Sequence, residues 1–199
     1  MESYKQASSE INDGNFSIIC NNCLGGFIYQ HYNLEYRTPT LGLFIIAKDY
    51  IKFLKDIKSY LSKKLEFIKP DESKGYKSFN QTAEMMKFPV ARLGDIEVFF
   101  MHYKDEKEAT EKWYRRINKI RWNDLIVIMA ENETCNRQVV EEFDKLSFKN
   151  KVSFTINDYN DVKSSCWVKE MQEPGKLWNA EVIMKHFDLT GFINNRVTE

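Results

Sequence analysis

Residues 125–130 read Leu-Ile-Val-Ile-Met-Ala, an apolar run without a polar interruption. A run of this length predicts a strand, and its lack of alternation favours a parallel strand that is covered on both faces. A second apolar run, Phe16-Ser17-Ile18-Ile19-Cys20, lies between the turn residues Asp13-Gly14 and Asn21-Asn22 and also predicts a strand. These two stretches decide the fold class, because what connects them determines how the strands can pair.

Helical patterns alternate with the predicted strands along the chain. The clearest pattern runs from about Lys48 to Ser62, where apolar residues recur at i, i+3 and i+4 spacing. Further helical patterns begin at Leu24 and cover residues 104–119, 135–146 and 178–187. Shorter strands are predicted at 41–46, 65–68, 96–101 and 152–155, and a loop at 71–81. Strands separated by helices need crossover connections, so we expect an α/β fold: a three-layer domain with a mostly parallel sheet flanked by helices, Rossmann-like.

Length and composition indicate one folded domain. The chain has 199 residues, of which 43% are hydrophobic and 29% are charged, as is usual for a globular protein. We predict a frayed lead-in at 1–15 and a single α/β domain at 16–199. The part of this domain after about residue 156 is predicted to be a helical C-terminal appendage.

Charge and apolar patterning limit the classes of partner. The 29 Lys and Arg residues cancel the 29 Asp and Glu residues, so no overall positive field favours nucleic acid. No stretch approaches the roughly 20 apolar residues of a membrane span, and the polar segment Met1–Gly14 predicts no signal peptide. Without a secretory signal, the four cysteines are predicted to be free thiols of a cytoplasmic protein.

The turn after the first strand is a candidate site, because ligands of parallel sheets bind outside the carboxyl ends of the strands. This turn holds Asn21, Asn22 and Cys23, and Gly25 and Gly26 follow at the start of a helix. Backbone N–H groups and the positive end of the helix dipole can bind an anion there, and the asparagines can bind a sugar hydroxyl. A tight turn with a capped helix and no ligand explains the same residues equally well.

Cys20 and Cys23 have the Cys-x-x-Cys spacing of thiol–disulfide enzymes. The same spacing supplies half of a zinc site, but the sequence contains no second pair. Because Cys20 ends an apolar strand, a buried cysteine is the simpler interpretation, and we predict no metal site.

Polar residues flank the predicted strand at 96–101. His102 and Tyr103 follow it, where His102 can act as a general base or bind a hydroxyl, and packing under the next helix is the alternative. Asp95 and Glu97 stand at its start, and their spacing places both carboxylates on one face of a strand, a pattern that can hold a divalent metal. Capping of the turn by Asp95 and solvation of Glu97 explain the pair better.

Further candidates for substrate binding lie in two other segments. Glu131 follows the apolar strand at 125–130, where it could orient a base or bind sugar hydroxyls. Arg115 belongs to a basic and aromatic cluster, and together with Arg116 it could grip a phosphate. A capped turn explains Glu131, and a solvated helix face explains Arg115 and Arg116, without any ligand.

Several blocks of the sequence together resemble a known family. They are Phe16–Gly26 with Tyr29, Pro39-Thr40 with Gly42–Ile45, Pro89-Val90 with Leu93–Glu97, His102-Tyr103, and Ala109 with Trp113–Arg116. With these blocks the chain resembles an uncharacterised bacterial family of exopolysaccharide or capsule biosynthesis proteins, a domain of unknown function, over about residues 16–155. The resemblance implies a setting in the cytoplasmic assembly of a cell-surface glycan, but it supplies no established catalytic residue.

The first hypothesis is an enzyme: a bacterial exopolysaccharide or surface-glycan biosynthesis protein, a transferase that acts on an activated or phosphate-bearing sugar. One form of it makes Cys23 a covalent nucleophile, His102 its base and Glu131 the residue that orients the base, which requires Cys23 and His102 to lie close together. The catalytic residues in this hypothesis are Cys23, His102, Asp95 and Glu97. The substrate-binding residues are Asn21, Asn22, Gly25, Gly26, Tyr103, Glu131 and Arg115. No signature names a cofactor.

Two other functions fit the same residues. A non-catalytic protein of the same pathway would bind a glycan or a partner enzyme, and it would carry an aromatic surface patch, for which Tyr29, Tyr32 and Tyr36 are the candidates, although core packing explains this series better. A thiol–disulfide enzyme would require a Cys23 thiol with a lowered pKa.

Overall fold

The computed structural model describes residues 10–75, 87–173 and 177–198. Residues 1–9 of the predicted lead-in and residues 76–81 of the predicted loop therefore lie outside the described residues. Within the lead-in, Ile11 is buried in the same apolar cluster as Phe16. The backbone N–H of Asn12 donates to the side chain of Asn194 at 3.0 Å. The described end of the lead-in is thus packed against the domain.

Strands and helices alternate along most of the described chain. The strands are β1 (Ser17–Cys20), β2 (Phe44–Ile45), β3 (Glu66–Ile68), β4 (Val90–Leu93), β5 (Ile96–Phe99), β6 (Leu125–Ala130), β7 (Asn150–Thr155) and β8 (Ser165–Trp167). The helices are α1 (Leu24–His31), α2 (Ala47–Lys55), α3 (Ile57–Ser62), α4 (Glu106–Ile117), α5 (Arg137–Asp144), α6 (Ala180–Met184) and α7 (Leu189–Asn194). The helix predicted over 48–62 is interrupted at Asp56, whose backbone angles (φ −149°, ψ 55°) are not helical.

The larger sheet is parallel, as the two apolar runs predict. Its four strands have the order β1-β6-β7-β8, and each neighbouring pair runs in the same direction. Alternate residues of β6 point to opposite faces: Val127 packs in one apolar cluster and Ile128 in the other. Helices therefore cover both faces, which confirms an α/β fold with a parallel sheet flanked by helices. Its description as Rossmann-like stays a prediction.

The smaller sheet is antiparallel and corrects the expectation that one mostly parallel sheet holds the strands. Its order is β2-β5-β4-β3, with every pair antiparallel. Gly94 adopts a left-handed backbone (φ +68°) in the tight turn from β4 to β5, a conformation that glycine takes without a steric penalty. The backbone N–H of Ile45 in β2 donates to the carbonyl of Asn21 at 2.8 Å, which fixes β2 beside the carboxyl end of β1.

The segment after residue 156 is not only helical. It contributes β8 to the parallel sheet, and the buried residues of α6 and α7 join the apolar cluster that also contains α1. In the described part of the chain, no helix is both long enough and apolar enough to cross a bilayer.

Candidate active site

Cys23 lies at a tight junction between β1 and α1. It is the N-cap residue of α1, and the turn from Cys20 brings this helix back over the strand. A Cβ atom on Gly25 would lie 2.9 Å from Cβ of Cys20, and one on Gly26 would lie 2.9 Å from Cδ1 of Leu41. The two glycines therefore permit the close packing that places the Cys23 side chain at the positive end of the helix dipole.

His102 reaches the same point from the antiparallel sheet. The chain leaves β5 beside β2, and the backbone N–H of His102 donates to the carbonyl of Gly42 at 3.1 Å. Gly42 has a left-handed backbone (φ +68°), and a Cβ atom there would lie 3.4 Å from Cβ of His102. The close approach of these two residues directs the imidazole towards α1.

The thiol of Cys23 and the imidazole of His102 are in direct contact, with 3.1 Å between Sγ and Nε2. In the tautomer that carries its proton on Nδ1, the imidazole accepts a hydrogen bond from the thiol. Desolvation by burial raises the pKa of the Cys23 thiol, so the thiol form prevails at neutral pH. The pair is thus arranged for removal of the thiol proton by His102 during a reaction, rather than for a thiolate that already exists.

A cavity of about 240 Å³ opens beside this pair. It is lined by Cys23, Gly26, Phe27, Gln30, Tyr36, Leu41, Gly42, His102, Tyr103, Lys112 and Arg116. Sites for drug-sized ligands span about 300–1,000 Å³, so this volume fits a small molecule or one group of a larger substrate. We call it the Cys23 cavity.

Tyr103 connects two other residues that line the Cys23 cavity, Leu41 and Arg116. Its hydroxyl donates to the carbonyl of Leu41 at 2.6 Å and accepts from Nη1 of Arg116 at 2.6 Å. Of the two arginines predicted to grip a phosphate, Arg116 is buried, whereas Arg115 is exposed and is not among the lining residues. The structure therefore assigns the cavity to the neighbouring arginine of the predicted pair.

Asn21 and Asn22, predicted to bind substrate, hold the framework of the site. Asn21 is buried, and its amide accepts from the N–H of Ala130 at 2.8 Å and donates to the carbonyl of the same residue at 3.0 Å. Oδ1 of Asn22 accepts from the N–H of Leu24 at 3.0 Å, in the first turn of α1. These contacts match the interpretation of a capped turn.

Asp95 and Glu97, predicted as catalytic, lie towards the opposite end of β5 from His102, so the structure does not bring them into the Cys23 cavity. Asp95 is exposed, and hydrogen bonds from Tyr60 at 2.6 Å and Lys52 at 3.0 Å lower the pKa of its carboxyl to about 2. The two carboxylates are separate from His102 because Asp95 precedes β5 and His102 follows it, so the length of the strand lies between them.

Glu97 is buried rather than solvated, contrary to our expectation. Its carboxylate accepts from the hydroxyl of Ser73 at 2.6 Å and from the N–H groups of Lys74 and Gly75, each at 3.0 Å. Burial favours the neutral acid, but these hydrogen bonds outweigh it and lower the pKa of Glu97. Among the described residues, no group of three or more His, Cys, Asp and Glu side chains is arranged to hold a metal ion.

Glu131, predicted to orient the base, makes no contact with His102. Its two carboxylate oxygens accept four hydrogen bonds, from the N–H groups of Ile156 (2.6 Å) and Asn157 (3.1 Å), from Nδ2 of Asn157 (3.0 Å) and from the hydroxyl of Tyr159 (3.0 Å). It therefore ties the turn after β6 to the turn after β7. A hydrogen-bond partner that orients the His102 ring is not present among the described residues.

The Cys20–Cys23 spacing does not make an accessible redox pair. Cys20 is fully buried, and desolvation raises the pKa of its thiol to about 12. Burial also raises the pKa of Cys23, opposite to the lowering that a thiol–disulfide enzyme needs. All four cysteines are free thiols.

Sequence reasoning missed two points about the lining of the Cys23 cavity: the role of Gly42, and the choice of Arg116 over Arg115. Both stand in the sequence blocks that carry the family resemblance, at Gly42–Ile45 and Trp113–Arg116. A glycine inside an apolar run also signals a turn, which the left-handed backbone of Gly42 confirms. The signal for Arg116 was its place on the same helical face as the buried Ala109 and Trp113.

Comparison with known proteins adds a family and a relative. A family model described as "Domain of unknown function (DUF1919)" matches residues 2–195. An "Uncharacterized protein" of Haemophilus influenzae is 28% identical over 187 residues, which cover 90% of this chain and 84% of that protein. Neither description names an activity, so the chemistry has to be argued from the Cys23 cavity.

Proposed function

The chain belongs to the DUF1919 family, and we propose that it is a group-transfer enzyme in which Cys23 is the nucleophile and His102 the general base. The observation that carries this proposal is the contact of 3.1 Å between Sγ of Cys23 and Nε2 of His102 at the mouth of a cavity. A nucleophile and a base within hydrogen-bond reach are two of the parts by which covalent catalysis by cysteine is recognised.

The proposed reaction starts with proton transfer from the thiol to His102. Sγ of Cys23 then attacks the electrophilic centre of the activated group, and the leaving group departs with the electron pair of the broken bond. His102 returns its proton to the leaving group. It then takes a proton from the acceptor, which displaces Cys23 from the covalent intermediate, and this proton returns to Sγ. The amino end of α1 stabilises negative charge that develops at Sγ.

We propose an activated or phosphate-bearing sugar of a bacterial surface glycan as the substrate. The support is the resemblance of the chain to exopolysaccharide and capsule biosynthesis proteins, together with a cavity that has the size of a small polar molecule. A non-catalytic role in binding a glycan or a partner enzyme has less support, because Tyr29 and Tyr32 of the candidate aromatic patch are fully buried.

The first experiment tests the setting in cells. In a strain from which the gene has been deleted, the wild-type gene should restore the surface polysaccharide, and Cys23→Ser should leave it at the level of the deletion strain. Cys166→Ser is the matched control, because Cys166 is a half-buried free thiol outside the cavity. Full restoration by Cys23→Ser would rule out the catalytic role of the thiol.

The second experiment looks for the covalent step itself. The purified protein is incubated with a panel of nucleotide sugars and sugar phosphates, and intact-mass spectrometry records adducts on Cys23. Loss of a general base costs about 10²–10⁴ in rate, so His102→Ala should slow adduct formation by at least 100-fold. An adduct that forms at the wild-type rate in His102→Ala would remove the base from the mechanism.

A further inference from the structure

Arg116 carries a charge that the fold buries beside the Cys23 cavity. Its side chain lies on α4 and the residue is only 8% exposed, whereas Arg115 on the same helix is exposed. Removing a charge from water costs several kcal/mol unless a counter-charge and hydrogen bonds replace the lost solvation. A buried guanidinium therefore needs an anion.

The described residues do not supply that anion. A guanidinium has five N–H donors, and the hydrogen bond that Arg116 makes in the described part of the chain goes from Nη1 to the neutral hydroxyl of Tyr103. No carboxylate of the described residues lies within 4.0 Å of its nitrogens. Lys112, one turn earlier on α4, differs in that it forms an ion pair with Glu108 at 2.6 Å.

The wall of the Cys23 cavity also carries positively charged side chains. It includes Lys112 and Arg116 but no Asp or Glu among its described residues. The positive end of the α1 dipole adds to this field at Cys23. Because Lys112 is paired with Glu108, the formal charge of the cavity wall that has no counter-charge among the described residues is that of Arg116.

From this arrangement we infer that the Cys23 cavity binds an oxyanion of the substrate, a phosphate or a carboxylate, through the guanidinium of Arg116. The inference rests on the proposed function, because the bound oxyanion would lie next to the group of the substrate that Cys23 attacks. Phosphate and carboxylate each present two oxygen atoms that a planar guanidinium can bind with two parallel hydrogen bonds. Arg116 is accordingly a substrate-binding residue, and Tyr103 positions it.

Alkylation of Cys23 by two reagents of the same shape tests the inference without knowledge of the substrate. Iodoacetate carries a carboxylate and iodoacetamide is neutral, and mass spectrometry gives the rate of each at Cys23 and, as an internal reference, at Cys166. The ratio of the iodoacetate rate to the iodoacetamide rate should be at least 10-fold higher at Cys23 than at Cys166. Arg116→Gln should remove this preference, while Arg115→Gln, the matched control, should keep it.

Direct titration provides a readout that does not depend on the reactivity of Cys23. Isothermal calorimetry with inorganic phosphate and, separately, with acetate shows which oxyanion the wild-type protein prefers. Arg116→Gln should weaken binding of the preferred anion at least 10-fold. Arg116→Lys keeps the charge but lacks the fork geometry, and it should bind with intermediate affinity. Circular dichroism checks that each variant is folded. If Arg116→Gln does not fold, Arg116→Lys provides the test in its place.

The outcomes separate this inference from the proposed function. If neither anion binds, or if both variants of Arg116 bind like the wild type, the anion site is wrong and the Cys23–His102 mechanism is unaffected. If the anion preference depends on Arg116 but Cys23→Ser restores the surface polysaccharide, the anion site stands and the nucleophile is wrong.

Discussion

The turn after β1 and the turn after β6 lie at the same edge of the parallel sheet, because the two strands are parallel neighbours. Both turns are polar and both lead to a helix. In the turn after β6, the carboxylate of Glu131 accepts four hydrogen bonds from the chain itself. In the turn after β1, the thiol of Cys23 contacts only the imidazole of His102 among the polar side chains that line its cavity.

This difference shows how to separate a structural polar residue from a reactive one at a sheet edge. Glu131 has no hydrogen-bonding capacity left for a substrate, whereas Cys23 and His102 face an open cavity whose lining includes the buried guanidinium of Arg116. A polar group that is saturated by its own chain contributes to stability, and a group that is left available contributes to chemistry. Each of the following substitutions tests one side of this contrast.

The largest effect on stability is expected for Glu131→Gln. The substitution turns an amide N–H₂ group towards N–H donors that the carboxylate now accepts, so buried donors lose their partners. We expect the free energy of unfolding to fall by about 3 kcal/mol, as measured by urea denaturation. The alkylation rate of Cys23 by iodoacetamide should change less than twofold in the folded protein.

Glu133→Gln is the control for Glu131→Gln, because Glu133 lies in the same turn and is exposed. Its side chain makes no hydrogen bond with the described residues, whereas that of Glu131 makes four. It should leave the free energy of unfolding within about 0.5 kcal/mol of the wild type. Equal destabilisation by both variants would show that the turn as a whole, and not the four hydrogen bonds, is responsible.

Gly42→Ala should affect both stability and reactivity, because Gly42 supports His102 through backbone geometry. A left-handed backbone costs an L-residue about 1–2 kcal/mol, and the added Cβ would meet Cβ of His102 at 3.4 Å. We expect a comparable loss of unfolding free energy and a slower formation of adducts at Cys23. Gly94→Ala is the matched control, since it strains another left-handed turn away from the cavity and should lower stability alone.

The sequence predicts those features of the two turns that depend on a local pattern of residues. The apolar runs at 16–20 and 125–130 predict two strands, and their turns predict candidate sites at both carboxyl ends. The contact between Cys23 and His102 depends on the pairing of β5 with β2, a strand of only two residues, and no local pattern reveals such a pairing.

The sequence also cannot distinguish the two turns chemically. Glu131 and Cys23 each follow a buried strand and precede a helix, and both are reasonable catalytic residues by that criterion. The hydrogen bonds that saturate Glu131 come from residues 156–159, about 25 positions later, so their effect is visible only once β7 lies beside β6.

Glu97 is a second carboxylate that accepts hydrogen bonds from its own chain, and its contribution to stability is expected to depend on pH. Its hydrogen bonds with Ser73, Lys74 and Gly75 outweigh burial and lower its pKa below the usual 4.5. In that range the unfolded chain binds a proton that the folded chain does not, so stability is present above pH 4.5 and is lost as the pH falls through the folded-state pKa. Thermal denaturation between pH 3 and 7 should show this component in the wild type, and Glu97→Gln should lack it. Identical slopes in the two proteins would mean that Glu97 does not titrate abnormally.

The smallest effect on the free energy of unfolding is expected for Cys23→Ser. The size of this effect tests whether Cys23 is a structural residue or a reactive one. Cys23 is half-buried and its one polar side-chain contact is with His102, which serine can keep, so the free energy of unfolding should change by less than about 1 kcal/mol. The thiol of Cys20 is fully buried and donates to Oδ1 of Asn22 at 3.4 Å. Cys20→Ser buries a more polar hydroxyl in its place and should cost more than Cys23→Ser in the same urea titration. If Cys23→Ser is instead the more destabilising of the two, the thiol is part of the packing that joins α1 to β5. The turn after β1 would then be structural in the same sense as the turn after β6.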